Sequence, residues 1–225
     1  MVPFSFCAEE MHLVEGRALW WPREGALIAA DLHLEKASHY AKGGQMLPPY
    51  DSRETLERLA RAVRLTGARR VFALGDNFHD SAGPARLEPH AAGMLDALVR
   101  ALDWVWITGN HDPDLAREAG GTRVDDLNLG GIALVHQARP GDGGPQLSGH
   151  FHPKLVVQAR GRRIARPCMV RSERRMILPA FGALAGGMNA ADPVILAAMQ
   201  PATAIDALVA ATGRLVTMPL WRAAA

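Results

Sequence analysis

Gly149-His150-Phe151-His152 is the last of five polar stretches in this 225-residue chain, each of which follows a short apolar run. The four upstream stretches are Asp31-Leu32-His33, Gly75-Asp76-Asn77-Phe78-His79, Gly109-Asn110-His111-Asp112 and His136. Four of the apolar runs have the composition of buried strands: residues 26–30, 71–74, 105–108 and 132–135. Strands buried on both faces are continuously apolar, and ligands bind beyond the carboxyl ends of such strands. We therefore expect the polar stretches to meet at one edge of a sheet.

The polar stretches contain six of the nine histidines, together with aspartate and asparagine. Nitrogen and oxygen donors of this kind suit two divalent first-row metal ions. A carboxylate can bridge two ions with its two oxygens, and Asp76 is placed to do so. Besides Asp76, the predicted ligands are Asp31, His33 and His152 for one ion and Asn110, His136 and His150 for the other. Two ions about 3.5–4 Å apart lower the pKa of a bridging water and stabilise the attacking and leaving oxygens. The sequence therefore predicts hydrolysis of a phosphate ester.

Three further residues in these stretches are candidate catalytic groups. His111 directly follows Asn110 and is the candidate general acid for the leaving oxygen. Asp112 could orient the imidazole of His111 or raise its pKa. His79 comes three residues after Asp76 and is expected to border the substrate rather than a metal ion.

The composition of the chain is typical of a globular protein of ordinary size. The chain is 48% hydrophobic and 21% charged, and we expect residues 1–225 to form a single domain. Its two cysteines exclude a disulfide framework and fit a reducing compartment. No apolar run approaches the ~18 residues of a membrane span, and residues 1–10 lack the features of a signal peptide. A cytoplasmic location is therefore expected. The net charge of +2 permits a polyanionic partner without requiring one.

The pattern of helices and strands predicts an α/β fold in which two sheets pack face to face with helices outside. A helix-start signal at Asp51 precedes apolar residues at helical spacing, and this spacing recurs over 87–102. A short helix is expected over 112–120. The remaining predictions are a long loop at 32–49 and additional strands of the second sheet at 193–198 and 215–218.

A cluster of seven arginines lies within sixteen residues of the second half of the chain: Arg160, Arg162, Arg163, Arg166, Arg171, Arg174 and Arg175. Such clusters attract backbone phosphates, although a solvated hairpin of a basic protein has the same composition. Lys36 and Tyr40 lie just beyond the first polar stretch and could contact a phosphate or a base, or belong to a solvated loop. Aromatic residues make up only 6% of the chain, so we expect recognition of backbone without sequence preference. The predicted nucleic-acid contacts are Lys36, Tyr40, Arg160, Arg162 and Arg163.

The order of the five polar stretches resembles that of the calcineurin-like metallophosphoesterases. The family motifs are Asp-x-His, Gly-Asp, Gly-Asn-His-Asp, His and Gly-His-x-His, and they match residues between 31 and 152. The resemblance implies a four-layer α-β-β-α sandwich of two mixed β-sheets, and it agrees with the ligand assignment above. Many members have an acidic residue where this chain has His79. A histidine there is similar to the DNA-repair nuclease branch of the family, in which it lies near the scissile phosphate.

A closer resemblance covers nearly the whole chain. Its motifs are Asp31-Leu32-His33-Leu34-Glu35-Lys36, Pro48-Pro49, Gly149-His150-Phe151-His152-Pro153, Ile177-Leu178-Pro179-Ala180-Phe181-Gly182 and Gly186-Gly187. They look like those of the bacterial ligase-associated DNA-damage-response phosphoesterases. This resemblance implies a manganese-dependent endonuclease of single-stranded DNA, associated with an ATP-dependent DNA ligase, a helicase and an exonuclease. The donor set itself also accepts Zn, Fe or Co.

Two other functions stay open at the level of sequence. The same metal ions could serve a small-molecule phosphodiesterase or phosphatase, for example one acting on a cyclic nucleotide. The chain could also be a metal-bound scaffold for repair partners without catalysis, although the presence of both His79 and His111 disfavours this. An open groove beside the arginine cluster favours nucleic acid, and a closed pocket favours a small ester.

Overall fold

The computed structural model describes residues 1–114, 119–141, 143–159 and 161–224, and within them it contains two seven-stranded sheets. The first sheet consists, in spatial order, of β1 (Val2–Phe6), β2 (Glu9–Val14), β3 (Ala18–Trp21), β4 (Ala26–Ala30), β5 (Arg70–Leu74), β6 (Asp103–Ile107) and β7 (Thr122–Val124). Strands β1 to β4 pair antiparallel, whereas β4 to β7 pair parallel. The first sheet is therefore mixed.

The second sheet is also mixed. It consists, in spatial order, of β16 (Arg214–Arg222), β15 (Ala204–Ala211), β13 (Met169–Arg171), β14 (Arg175–Ile177), β10 (Gln146–Ser148), β9 (Ile132–Leu134) and β8 (Leu127–Leu129). Strand β10 pairs parallel with both of its neighbours, and the other strand pairs of this sheet are antiparallel. Strands β11 (Lys154–Ala159) and β12 (Arg162–Pro167) form an antiparallel hairpin of their own. The described helices are α1 (Lys36–Lys42), α2 (Asp51–Thr66), α3 (Pro89–Ala101) and α4 (Pro193–Ala198), with a 3-10 turn at Pro84–Arg86.

The two large sheets pack face to face, with helices on the outer face of each. Ile28 of the first sheet lies in one apolar cluster with Leu134 and Met176 of the second. The neighbouring Leu27 points the other way, into a cluster that it shares with Leu59 of α2 and with α3. This alternation explains why a strand covered on both faces is continuously apolar. Helix α4 covers the second sheet through a third cluster. The predicted α-β-β-α sandwich is confirmed.

The prediction of a strand at 193–198 is wrong, because these residues form helix α4. The Asp192 carboxylate accepts a hydrogen bond from Val194 N at 3.0 Å, and Pro193 occupies the first turn. A capping aspartate followed by proline favours a helix start and outweighs the β-branched residues that suggested a strand. The predicted strand at 215–218 lies within β16 and is confirmed.

The predicted loop at 32–49 instead contains helix α1. The Asp51 carboxylate accepts a hydrogen bond from Ala37 N at 3.0 Å, and the Ser52 hydroxyl accepts one from Glu35 N at 2.8 Å. The helix-start signal at Asp51 does coincide with the first residue of α2, but its polar side chains anchor α1. A seven-residue helix has little stability of its own, so tertiary anchoring of this kind explains its presence.

The short helix expected over 112–120 includes residues 115–118, which lie outside the described residues. None of the helices in the described ranges has the length and apolarity needed to cross a membrane.

Candidate active site

The carboxyl ends of neighbouring parallel strands bring the polar stretches to one edge. Strands β4, β5 and β6 are parallel neighbours, and they are followed by Asp31, Asp76 and Asn110. In the second sheet β9 and β10 are parallel neighbours, and they lead to His136 and to the loop of His150. Because the sheets face each other, both sets of side chains reach the same end of the sandwich.

Backbone contacts hold the two sheets together at this end. The backbone N–H of His150 donates to both carboxylate oxygens of Asp31, at 3.0 and 2.9 Å. Phe181 N donates to Ala30 O at 2.8 Å, and Gly182 N donates to Asp31 O at 3.2 Å. A side chain at Gly182 would begin 2.2 Å from a backbone oxygen, so only glycine permits this close approach. The segment after β14 therefore fixes the backbone that carries Asp31.

Five of the predicted ligands have left-handed backbone angles, namely Asp31 (φ 53), His33 (φ 44), Asp76 (φ 45), His150 (φ 72) and His152 (φ 48). Such angles are uncommon for residues other than glycine and cost roughly 1–3 kcal/mol each. Strain of this kind gathers at functional sites, where the surrounding structure enforces it. Here the sharp turns aim side chains from several loops at a common point.

One group of donor atoms consists of Asp31, His33, Asp76 and His152, whose ligand atoms all lie within 4.8 Å of one another. Nε2 of His33 lies 3.1 Å from Nε2 of His152 and 3.8 Å from Oδ2 of Asp76. Nε2 of His152 lies 3.7 Å from Oδ2 of Asp31. Both carboxylates are buried. This group has the composition predicted for the first ion.

A second group consists of Asp76, His136 and His150. Nε2 of His136 lies 3.5 Å from Oδ1 of Asp76 and 3.0 Å from Nδ1 of His150. Oδ1 of Asn110 lies 2.9 and 3.0 Å from the same two histidine nitrogens. Asp76 therefore turns one oxygen to each group, as a bridging carboxylate must.

The donor sets fit divalent metal ions. Neighbouring ligands of an octahedral ion, each about 2.1 Å from it, lie about 3.0 Å apart. The shortest separations within the two groups match that value. Burial, followed by the nearby His152, lowers the pKa of His33, and burial, followed by His136, lowers that of His150. Neutral imidazoles are the form that binds metals, so both groups at this edge, called here the metal-binding edge, offer donors suited to divalent ions.

His111 and His79 lie side by side next to the first donor group. Their rings stack with centroids 4.8 Å apart, and the His33 ring lies 5.1 Å from that of His111. Nδ1 of His111 lies 3.0 Å from the carbonyl oxygen of His79. Because a carbonyl only accepts, Nδ1 carries a proton and Nε2 is left for another partner. The backbone N–H of His111 donates to Oδ1 of Asp76 at 3.0 Å.

His79 is buried between the metal-binding edge and α1. Burial, with the neighbouring charges of His111 and Lys36, lowers the pKa of His79 to about 4. Its ring is therefore neutral near neutral pH. The Tyr40 ring lies 5.4 Å from it, and the Lys36 ammonium lies 6.0 Å from the Tyr40 ring. The two predicted contacts on α1 thus flank His79.

Asp112 hydrogen-bonds to backbone N–H groups and not to the His111 imidazole that it was predicted to orient. Its Oδ2 accepts hydrogen bonds from the backbone N–H groups of Asn77 and Phe78 at 2.9 and 3.1 Å, and its Oδ1 accepts one from Gly109 N at 3.1 Å. The His111 ring is held by the carbonyl of His79 instead. Burial raises the pKa of Asp112, and these hydrogen bonds oppose the rise. Asp112 ties the Asp76 loop to the Gly109 loop.

The arginine cluster divides between surface and interior. Arg162 and Arg163 are exposed on β12, whereas Arg160 lies outside the described residues. Arg175 is only 1% exposed and donates to the backbone carbonyls of Arg139 and Gly141, among others. Its guanidinium replaces water for buried carbonyls, so the expectation that it belongs to a phosphate-binding cluster is wrong.

Sequence patterns did not indicate a polar network that supports His79. Nδ1 of His39 lies 2.5 Å from Oδ2 of Asp80, and Arg86 donates to Oδ1 of Asp80 at 2.7 Å. Burial alone would raise the pKa of Asp80, but the hydrogen bonds from Arg86 and His39 hold it well below its ordinary value. The His39 ring meets the His79 ring edge-on at 4.7 Å. The sequence feature that could have indicated this network is the position of Asp80 directly after His79.

Comparison with known proteins identifies the family. Residues 26–155, more than half of the chain, match the model of the calcineurin-like phosphoesterases. The nuclease MPE of Pseudomonas putida has a similar solved structure, with 29% identity, a TM-score of 0.73, and coverage of 96% of this chain and 98% of that one. The phosphoesterase Yfce of E. coli has 14% identity, a TM-score of 0.43, and coverage of 87% and 98%. No curated protein matches the chain at a significant level. The chain belongs to the calcineurin-like phosphoesterase family and is a metal-dependent hydrolase.

Proposed function

We propose that this protein is a two-metal phosphodiesterase that cleaves the backbone of nucleic acid, with single-stranded DNA as its substrate. The observation that carries the proposal is Asp76, which belongs to both donor groups and turns a different oxygen to each. The similarity to a protein whose name is that of a nuclease supports the choice of nucleic acid.

The proposed ligands are those predicted from the sequence: Asp31, His33, Asp76 and His152 for one ion, and Asp76, Asn110, His136 and His150 for the other. Bound ions would activate a water and stabilise the charge that develops on the phosphate oxygens. We propose Mn²⁺ as the physiological metal, although N and O donors also accept Zn, Fe or Co. The strained loops hold the donors in place before any ion arrives, which limits the reorganisation that binding requires.

His111 is proposed as the general acid. The Nδ1 proton is held by the carbonyl of His79, so a second proton on Nε2 is the one that can pass to the leaving oxygen. His79 is proposed to position the substrate beside it. The stacked, buried His79 ring fixes the plane of the His111 ring.

Accessibility supports a large substrate. Asn110 is exposed, and the side chains of His136 and His150 are only partly buried. The second donor group can therefore be approached from solvent, as a polymer requires. From the motif resemblance we also propose a role in DNA repair beside an ATP-dependent DNA ligase, a helicase and an exonuclease. A cytoplasmic location and a single-domain organisation are proposed as well.

Circular single-stranded DNA provides the direct test. With Mn²⁺ the purified protein is expected to convert circles to linear strands and also to hydrolyse bis(4-nitrophenyl) phosphate. Circles have no ends, so their opening demonstrates internal cleavage. Hydrolysis of the chromogenic diester with intact circles would instead identify a small-molecule phosphodiesterase. Failure on both substrates with Mn²⁺, Zn²⁺, Fe²⁺ and Co²⁺ would favour a non-catalytic scaffold.

The His111→Ala variant is expected to lose far more activity on DNA than on the chromogenic ester. A sugar hydroxyl is a poor leaving group that needs a proton, whereas 4-nitrophenolate leaves without one. General acid catalysis contributes roughly 10²–10⁴-fold, so kcat on DNA should fall by about that factor and kcat on the ester by less than about tenfold. The exposed His90 on α3 offers a matched control, and His90→Ala should behave as wild type. Equal losses on both substrates would remove the general-acid role.

A further inference from the structure

We propose that one face of the β11–β12 hairpin extends the active site as a binding surface for the polynucleotide backbone, with Lys154 and Arg163 as its phosphate contacts. The proposal rests on the proposed nuclease function and deepens it. It assigns binding to one face of the hairpin, whereas the sequence indicated only a cluster of arginines.

The register of the hairpin determines which side chains share a face. Residues directly opposite each other in an antiparallel pair lie on one face, and successive residues alternate between faces. Lys154 pairs with Pro167, Val156 with Ala165 and Gln158 with Arg163. These six residues form what is called here the lysine face.

The opposite face carries different partners. Leu155 pairs with Arg166, and Val157 pairs with Ile164. Leu155 packs against the apolar cluster beneath the second sheet, so this face is directed at the body of the protein near the base of the hairpin. Arg166 and Arg162 belong to it. The register therefore separates Arg163 from both of these arginines, although all three are exposed.

The lysine face begins beside the metal-binding edge. Lys154 is two residues beyond His152, and its side chain lies against the backbone at Gly187. Lys154 N donates to Met188 O at 2.8 Å, and Met188 N donates to His152 O at 3.3 Å. The base of the lysine face is therefore connected through Met188 to His152, a proposed metal ligand.

A second cation, Lys36, lies within electrostatic range of Lys154. Burial lowers the pKa of Lys36, the carboxylate of Asp51 raises it, and the charge of Lys154 lowers it again. Lys36 is held in place by the anchoring of α1 and lies over Tyr40, which flanks His79. Two cations that act on the same region beside the proposed phosphodiester site favour the binding of an anionic backbone there.

The length of the face indicates the size of the substrate. Gln158, the partner of Arg163, lies four positions after Lys154. A strand rises about 3.3 Å per residue, so Lys154 and Arg163 lie on the order of 13 Å apart along the hairpin. A single small diester at the metal-binding edge cannot span this distance. A strand that continues beyond the cleaved bond can place successive phosphates along it.

The matched variants Arg163→Ala and Arg166→Ala test the proposal. Both remove one exposed arginine from β12, and Arg166 is the nearer of the two to the metal-binding edge along the hairpin. For Arg163→Ala, the ratio of kcat/KM on circular single-stranded DNA to kcat/KM on bis(4-nitrophenyl) phosphate is expected to fall roughly fivefold. The slope of log affinity for DNA against log salt should flatten by about 0.7, the value for one lost contact to a single strand. Arg166→Ala is expected to keep the wild-type ratio and slope.

The outcomes separate this inference from the function on which it rests. Equal losses in the two variants would overturn the assignment to one face. Wild-type behaviour of Arg163→Ala, with circles still opened by the unmodified protein, would overturn the binding surface and leave the nuclease function standing. Failure of the unmodified protein to open circles while it hydrolyses the chromogenic diester would overturn both.

Discussion

An Asp76→Ala variant is expected to lose at least about 10³-fold in kcat/KM on bis(4-nitrophenyl) phosphate with Mn²⁺, which corresponds to about 4 kcal/mol of transition-state stabilisation. The reason is that three contacts are lost together. Oδ2 faces His33 in one donor group, Oδ1 faces His136 in the other, and Oδ1 also accepts the backbone N–H of His111. Removing this carboxylate disconnects both donor groups and frees the loop of the proposed general acid.

The matched control is Asp96→Ala. Asp96 is an exposed carboxylate on α3 that pairs with Arg100 one helical turn away. Exposed pairs of this kind contribute little to stability, so this variant should retain wild-type kinetics and metal content. Metal content per chain should fall for Asp76→Ala while its circular dichroism spectrum stays native. Turnover within about tenfold of wild type would contradict the two-metal assignment.

The second large effect is expected from Gly109→Ala, which adds one methyl group beside the proposed metal site. A Cβ at this position would lie 2.1 Å from Asp76 N and 2.3 Å from Asp76 Oδ1. Both distances are far inside van der Waals contact, so the Asp76 loop has to move. A displacement of about 1 Å at a catalytic group costs about 10²-fold in rate. We expect a loss of that size in kcat/KM, together with weaker metal binding measured by titration.

The control for this change is Gly93→Ala, since Gly93 is an exposed position of α3 with no atom near the added Cβ. Alanine is favoured over glycine inside a helix by about 1 kcal/mol, so this variant should unfold at a slightly higher temperature and keep full activity. Replacing glycine with alanine is thus expected to lower activity at position 109, and to raise thermal stability without loss of activity at position 93. Normal activity of Gly109→Ala would show that the Asp76 loop does not need its present position.

The sequence predicted the convergence of the seven donors because strand order and motif order suffice for it. Parallel neighbours must place their following loops at one edge, and facing sheets combine two such edges. Asp112 was assigned to the wrong task because spacing along the chain does not reveal direction. Its oxygens turn toward Asn77, Phe78 and Gly109 rather than toward the adjacent His111 ring. The catalytic and ligand roles themselves stay predictions that the variants above test.

Arg175 and α1 illustrate a second limit of prediction from local sequence patterns. Arginine is usually exposed, and its burial at Arg175 depends on carbonyls from residues 139 to 201 that come together only in the folded chain. Helix α1 similarly depends on Asp51 and Ser52, which follow their bonded partners Ala37 and Glu35 by 14 and 17 residues. Local patterns contain no information on partners of this kind, whereas the strands of the core depend only on composition and alternation.

The contact between the segment 180–182 and the loop of Asp31 limits how this protein can be divided. A fragment ending at residue 155 would contain all seven proposed donors and both histidines proposed to act in catalysis. It would lack the backbone groups of Phe181 and Gly182 that bond Ala30 and Asp31, and it would lack β13 to β16. The motif-bearing part is therefore not a transplantable module. A fusion or chimaera that uses this site therefore has to include residues beyond 155, among them the segment 180–182.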